Sequence, residues 1–187
     1  MWPWKPYGDD GPTLLELAQQ AWSSTDEGYD LLADKFDETP FRTPDDAVKR
    51  ALSTLGTARY HRGLDLCCGT GAGLAQLTTR CEHVVGLDRS AGMLDVAARR
   101  VTSAQLVRGD ALATPFRDAT FDVACSFGAF GHILVRDEPR FVDGVARGRR
   151  PGGGCGCSTA DPPSPLSNLA LVSRAFKARI GGAAQPV

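Results

Sequence analysis

The sequence predicts an α/β fold, a doubly wound and mostly parallel sheet with helices on both faces. Three observations predict it. From residue 61 onward, short apolar runs alternate with stretches of helical periodicity. A glycine-rich turn, Gly69-Thr70-Gly71-Ala72-Gly73, joins the first apolar run to the helix after it. Acidic residues lie at or near the ends of the first three runs: Asp65, Asp88 and Asp110. Apolar strands alternating with helices favour a parallel sheet, because each crossover helix covers a face and buries the strand beneath it.

The elements follow in order. The first ten residues are rich in Trp, Pro, Gly and Asp and read as an irregular arm. Thr13-Leu14-Leu15-Glu16 is a capping box opening a helix with Leu14, Leu17, Ala18, Ala21 and Trp22 at helical spacing. A second helical stretch covers residues 27–36. Thr43-Pro44-Asp45-Asp46 starts a third, with proline in the first turn and two carboxylates at the positive end of the helix dipole. Gly56 is its expected stop.

The alternating part then begins. Strands are expected at 64–68, 83–88, 104–108 and 121–127, and helices up to Thr79, at 91–100 and at 139–147. A fifth strand should follow Arg150-Pro151-Gly152-Gly153. Its sequence, Gly154-Cys155-Gly156-Cys157-Ser158-Thr159, is poor strand material, since glycine leaves a core strand nothing to pack. A Pro-rich turn (Asp161-Pro162-Pro163-Ser164-Pro165), a helix to about Ile180 and a frayed end complete the chain. This gives one domain in three parts: an N-terminal helical arm and lid (1–60), a ligand-binding core (61–160) and a C-terminal turn, helix and tail (161–187).

Composition narrows the function. The chain has 187 residues, 42% hydrophobic and 23% charged, a size that buries enough surface to fold without metal or disulfide staples. No apolar run approaches the roughly 18 residues of a membrane span, and the start carries no apolar segment of the secretory kind. With 21 basic and 22 acidic residues the net charge is −1, which argues against a dedicated nucleic-acid binder. The six cysteines suit a reducing cytoplasm. Their spacing (Cys67-Cys68 adjacent, Cys155 and Cys157 two apart, Cys81 and Cys125 alone) fits no zinc pattern, so no metal is expected.

The glycine turn at a strand-to-helix junction is where a backbone bends closely around a ligand and where free N–H groups meet an anion or nucleotide. Asp88, ending the second strand, can accept from both hydroxyls of a ribose. Asp110, ending the third, can accept from an adenine amino group. Such charged hydrogen bonds contribute roughly 1.5–3 kcal/mol each. A dinucleotide fingerprint would place its third glycine where Leu74 stands, which weakens a nicotinamide reading.

Taken jointly, these residues resemble a known family. Leu64-Asp65-Leu66-Cys67-Cys68-Gly69-Thr70-Gly71 resembles the first motif of the class I S-adenosylmethionine-dependent methyltransferases, in their small-molecule branch, which have a Rossmann-like fold. Val85-Gly86-Leu87-Asp88 with Met93-Leu94, Gly109-Asp110-Ala111 with Pro115-Phe116, the 121–132 segment and Arg150-Pro151-Gly152-Gly153 are similar to the later motifs, in order. Tyr29-Asp30, Ala33 and Phe36-Asp37 resemble the lid helix of that branch. The likeness spans residues 29–153.

The resemblance implies S-adenosylmethionine as cofactor, S-adenosylhomocysteine as product and a small-molecule methyl acceptor. It implies that Asp65 holds the amino group of the methionine part, and that Gly69 and Gly71 let the backbone touch that moiety, beside Cys67. It implies that Asp88 binds the ribose with Arg89 flanking, and that Asp110 and Ala111 meet the adenine, with Met93 as an apolar wall. Ser126 and Phe127 would lie under the sulfonium, and Tyr29 and Phe36 would close over it. His132 is the candidate general base if the acceptor arrives protonated. Two departures stand out: Cys67 occupies a position where the family commonly has glycine, and the strand region after residue 153 is incomplete. The fifth strand would then be an exposed edge, open to pairing with a second copy.

Other readings stay open at this level. A cofactor-binding relative without catalysis fits the odd fifth strand. An amino-methyltransferase of nucleic acid or protein is suggested by Asp161-Pro162-Pro163-Ser164, although that segment follows the wrong strand and lacks an aromatic. A nicotinamide-dependent oxidoreductase lacks its tyrosine–lysine pair.

Overall fold

The computed structural model describes residues 5–129 and 133–158. The expected turn and helix beyond residue 158, and His132, lie outside the described residues.

Five strands form one sheet of order β3-β2-β1-β4-β5, with every pairing parallel. The strands are β1 (Tyr60–Leu66), β2 (Cys81–Asp88), β3 (Gln105–Arg108), β4 (Phe121–Phe127) and β5 (Arg149–Ser158). Helices α4 (Ala72–Leu77), α5 (Ala91–Arg100) and α6 (Glu138–Gly148) make the crossovers, and α1 (Leu14–Trp22), α2 (Thr25–Leu32) and α3 (Asp45–Ser53) precede the sheet. The strand order reverses at β1/β4, the switch point at which open α/β sheets leave a crevice above their carboxyl ends. No described helix is long and apolar enough to cross a membrane.

Alternation along the strands divides the core into two layers. Val84 of β2 and Val123 and Cys125 of β4 pack with Val48 and Leu52 of α3, Leu74 and Leu77 of α4 and Ala97 of α5. Leu64 and Leu66 of β1, Val85 and Leu87 of β2 and Ala124 of β4 pack with Phe141, Val142 and Val145 of α6. Burial of each large aliphatic or aromatic side chain contributes about 1.5–3 kcal/mol. Both faces are therefore covered, as the unbroken apolar runs predict.

The N-terminal helices form where their caps say. Thr13 and Glu16 make the reciprocal bonds of the capping box on α1. Ser24 and Glu27 repeat it on α2, an opening two residues before the expected one. The second helical stretch is not uniform, because α2 gives way at Ala33 to a 3₁₀ helix, Ala33–Glu38.

The fifth strand begins earlier than the sequence suggests, at Arg149, and absorbs the expected turn as a bulge. Phe121 pairs with Arg149 and Val123 with Gly154, so residues 150–153 all face the single residue Asp122. Gly152 has φ +77°, and a Cβ on Gly153 would stand 2.3 Å from the Asp122 carbonyl oxygen, so both positions demand glycine. Beside the bulge, Phe121 packs on the α6 face together with Ala124, while Val123 packs on the other side. Among the described residues β5 pairs on one side only.

Asp122 fastens this end of the sheet. Its Oδ2 accepts from the backbone N–H of His61 (3.0 Å) and of Arg62 (2.8 Å), and its Oδ1 accepts from Arg150 at 2.6 Å. One carboxylate thus joins the starts of β1, β4 and β5. Asp122→Ala is expected to lower stability by about 1–3 kcal/mol, measured as a lower urea midpoint with unchanged slope. An unchanged midpoint would mean that water replaces the carboxylate at no cost.

Candidate active site

The carboxyl ends of β1, β2 and β4 open into a cavity of about 420 Å³, within the usual range for small-ligand sites. Of the residues singled out in the sequence, Tyr29, Phe36, Asp65, Cys67, Gly69, Asp88, Arg89, Met93, Asp110, Ala111 and Phe127 line it. All three carboxylates thus reach one space. Gly71 and Ser126 are not part of the lining. Gly71, at φ +88°, presents its bare side to Ala97 of α5, where a Cβ would stand 3.3 Å from the alanine methyl. It packs the turn against α5. Ser126 is fully buried, and its hydroxyl has no hydrogen-bond partner among the described residues.

The sequence reading placed Gly73 in the glycine-rich turn but gave it no individual role; the structure sets it directly over Asp65. A Cβ there would come within 2.3 Å of Asp65 Oδ2 and 2.7 Å of the Phe127 ring. The first turn of α4 therefore passes bare over the end of β1.

Asp65 lies at the floor with 0% of its surface exposed. Its Oδ1 receives the Cys125 thiol at 3.7 Å, and among the described residues its Oδ2 has no hydrogen-bond partner within ordinary geometry. Burial, reinforced by the charge of Asp88, pushes its carboxyl up to about 8 despite the partial help of the Cys125 thiol. A buried, under-bonded carboxyl is costly unless a donor arrives, and this one faces the cavity.

Asp88 is held differently. Its Oδ2 accepts from the Gly69 backbone N–H at 2.8 Å and its Oδ1 from that of Ser90 at 3.0 Å. These bonds fix the carboxylate while leaving each oxygen a second lone pair. Burial nonetheless raises its pKa. Asp110 Oδ1 caps the short 3₁₀ helix Ala111–Ala113 by accepting from Leu112 N–H at 2.8 Å, which sets Ala111 against the cavity.

The turn itself carries strain. Cys67 sits at φ +57°, the left-handed region that favours glycine. A side chain there costs about 1–2 kcal/mol. The structure keeps the geometry that a glycine would give and points a thiol at the cavity instead. Burial, followed by the neighbouring Asp88 and Asp65, pushes that thiol up, so it stays protonated and unreactive.

The cavity is roofed by the N-terminal helices through a row of acids that spacing alone does not reveal. Asp26 pairs with Arg89 at 2.9 Å. Asp30 Oδ1 accepts from the Ser90 hydroxyl and from Gly92 N–H at 2.9 Å, chiefly the former lowering its pKa. Asp34 pairs with Arg99, and Asp37 accepts from Thr70 Oγ1 at 2.7 Å and pairs with Arg100 at 2.9 Å. This row brings Tyr29 and Phe36 over the space, their ring centroids 5.7 Å apart. Burial, then the charges around Asp88, raises the Tyr29 hydroxyl to about 12, so it remains neutral. The remaining wall is apolar at its mouth, with Phe41, Ile133 and Leu134 beside Thr43 and Asp137.

These features fit an adenosyl sulfonium amino acid: an orphaned buried carboxyl oxygen for an ammonium, a bare backbone at Gly69 and Gly73, a fixed carboxylate for a ribose, and aromatic rings for a cation.

Comparison with known proteins agrees with that geometry. Residues 64–153 match the family described as Methyltransferase domain. The demethylmenaquinone methyltransferase of Lactiplantibacillus plantarum is 34% identical over 128 residues, covering 63% of this chain and 53% of that protein. The Clavibacter sepedonicus enzyme of the same name is 38% identical over 126 residues, covering 64% and 49%. The chain thus spans about half the length of these curated relatives. Among solved structures, the DhpI–SAH complex superposes with a TM-score of 0.57 at 27% identity, covering 74% of this chain and 66% of that one. A methyltransferase-like protein of Bacillus halodurans, at 20% identity and a TM-score of 0.59 over 71% and 58%, shares the fold. Sheet order, cavity and sequence likeness agree: residues 64–153 match a methyltransferase domain, and the chain is similar in sequence and fold to S-adenosylmethionine-dependent methyltransferases.

Proposed function

We propose that this protein transfers a methyl group from S-adenosylmethionine to a small, largely apolar organic acceptor by in-line displacement. The observation that carries the reading is the convergence of Asp65, Asp88 and Asp110 on one cavity beside a turn without side chains. When bound, the cofactor supplies an electrophilic methyl group on a positively charged sulfur.

The chain's own residues do the rest. Asp65 takes the ammonium, Asp88 the ribose hydroxyls with Arg89 at the flank, and Asp110 with Ala111 the adenine edge. Met93 packs against the ring. Tyr29, Phe36 and Phe127 surround the sulfur and exclude water, and alignment in a dry pocket is most of what such a displacement needs. Phe41, Ile133 and Leu134 offer the acceptor an apolar entrance. An acceptor that arrives as a hydroxyl must lose a proton, for which His132 is the proposed base. The relatives' own substrate, demethylmenaquinone, is the first acceptor to try. A cytoplasmic location and a homodimer paired along the outer side of β5 belong to the same reading.

Two experiments test the cofactor assignments. Calorimetry with S-adenosylhomocysteine should give binding about 10–100-fold weaker for Asp88→Ala, and a smaller loss for Asp110→Ala. Equal affinities for wild type and Asp88→Ala would contradict the ribose role. The second concerns protons. With its carboxyl titrating at about 8, Asp65 is protonated in the free protein at pH 7. An ammonium placed on it stabilises the charged form, so binding at pH 7 should release up to one proton. The observed enthalpy should then depend on the ionisation enthalpy of the buffer, and affinity should rise from pH 6 to 8. Asp65→Asn should abolish both effects, whereas a buffer-independent enthalpy in wild type would remove Asp65 from the ammonium site.

A further inference from the structure

The opposite edge of the sheet carries a second set of ligating groups. Because β1 and β2 run parallel, their first residues lie together, about 17 Å along β1 from Asp65 at the cavity floor. Tyr60 pairs with Cys81 and Arg62 with His83, so His61 stands across from Glu82. The two strands emerge here from their helical cover, and His61, Glu82 and His83 are all exposed.

Their geometry is that of a site rather than of scattered surface groups. His61 Nδ1 and Glu82 Oε2 are 2.7 Å apart. The His83 ring meets that of His61 edge-on, with centroids at 5.0 Å. One ligating atom from each of the three lies within 4.8 Å of the others. The backbone beneath is fixed, since Asp122 accepts from His61 N–H at 3.0 Å while the strand register sets His83. A cross-strand ion pair would use one imidazole and one carboxylate. The second imidazole completes a two-nitrogen, one-oxygen donor set.

We propose that His61, Glu82 and His83 bind one divalent transition-metal ion, zinc foremost, at the amino end of β1 and β2. Imidazole nitrogens with a carboxylate suit zinc, cobalt, nickel or copper and disfavour magnesium, which prefers oxygen ligands. Metal–ligand bonds of about 2.0–2.2 Å in a tetrahedron set ligand atoms roughly 3.3 Å apart. Rotation of three exposed side chains closes the present spread to that value without moving the core. Ligation takes the place of the His61–Glu82 hydrogen bond, and solvent completes the tetrahedron. The ion ties the two central strands together, so it stabilises the fold and leaves the cavity chemistry unchanged.

The test uses the full chain and cobalt(II), then zinc(II), as probes, with magnesium(II) for contrast. Titration should show one site. Cobalt bound by imidazole and carboxylate gives weak visible bands, without the intense near-ultraviolet band of thiolate ligation. His61→Ala and His83→Ala should each weaken binding by more than about tenfold, while their metal-free melting temperatures stay near that of wild type. Zinc should raise the melting temperature of wild type and not of either variant. Equal affinity in wild type and both variants, a thiolate band that survives the substitutions, or no binding to wild type would each overturn the proposal. S-adenosylhomocysteine affinity, read in the same preparations, reports separately on the cavity.

Discussion

A carboxyl group with no exposed surface, and one oxygen without a partner among the described residues, is the constraint around which this molecule is arranged. Asp65 ends a central strand directly beneath a helix, where water cannot reach it. The desolvation penalty is tolerable only if the group stays protonated or meets a cation. The surroundings keep that choice open. Gly73 supplies no side chain to fill the space above it, Cys125 offers only a weak donor, and Asp88 nearby adds negative potential. In the proposed reading, a site so built favours a positively charged ligand before any ribose or adenine contact is counted.

The rest of the fold places walls around that floor. The switch in strand order provides the crevice, the turn of residues 67–71 bends β1 into α4 across it, and β2 brings Asp88 alongside. Five carboxylates on the N-terminal helices and the chain just after them, Asp26, Asp30, Asp34, Asp37 and Asp45, meet Arg89, Ser90, Arg99 and Arg100 on α5 and the turn before it. Exposed pairs of this kind contribute little singly. As a row they fix which face of α2 looks into the cavity, which accounts for Tyr29 and Phe36 lying there.

Much of this was legible in the chain, for identifiable reasons. α5 and β4 have the bounds read from sequence, because Ser90 caps one and an unbroken apolar run defines the other. The three acids could be placed on one edge because parallel strands end on one side. The contacts that sequence could not show are long-range. Thr70 to Asp37 and Ser90 to Asp30 join residues 33 and 60 positions apart, and no local pattern encodes them. Which glycine lies over Asp65 depended on the phase of the turn: with Gly71 left-handed, the bare face there falls to Gly73. Gly152 and Gly153, read in sequence as the turn before a fifth strand, belong to a bulge within β5 that is visible only once Asp122 is seen opposite them.

The most direct test of the cavity's assignment is a crystal structure of this chain with S-adenosylhomocysteine. The account predicts its ammonium within hydrogen-bonding distance of Asp65 Oδ2 and its ribose hydroxyls on Asp88, with the Gly69 and Ser90 bonds to that carboxylate retained. A ligand bound elsewhere, or bound in this cavity with Asp65 Oδ2 still lacking a partner, would contradict it.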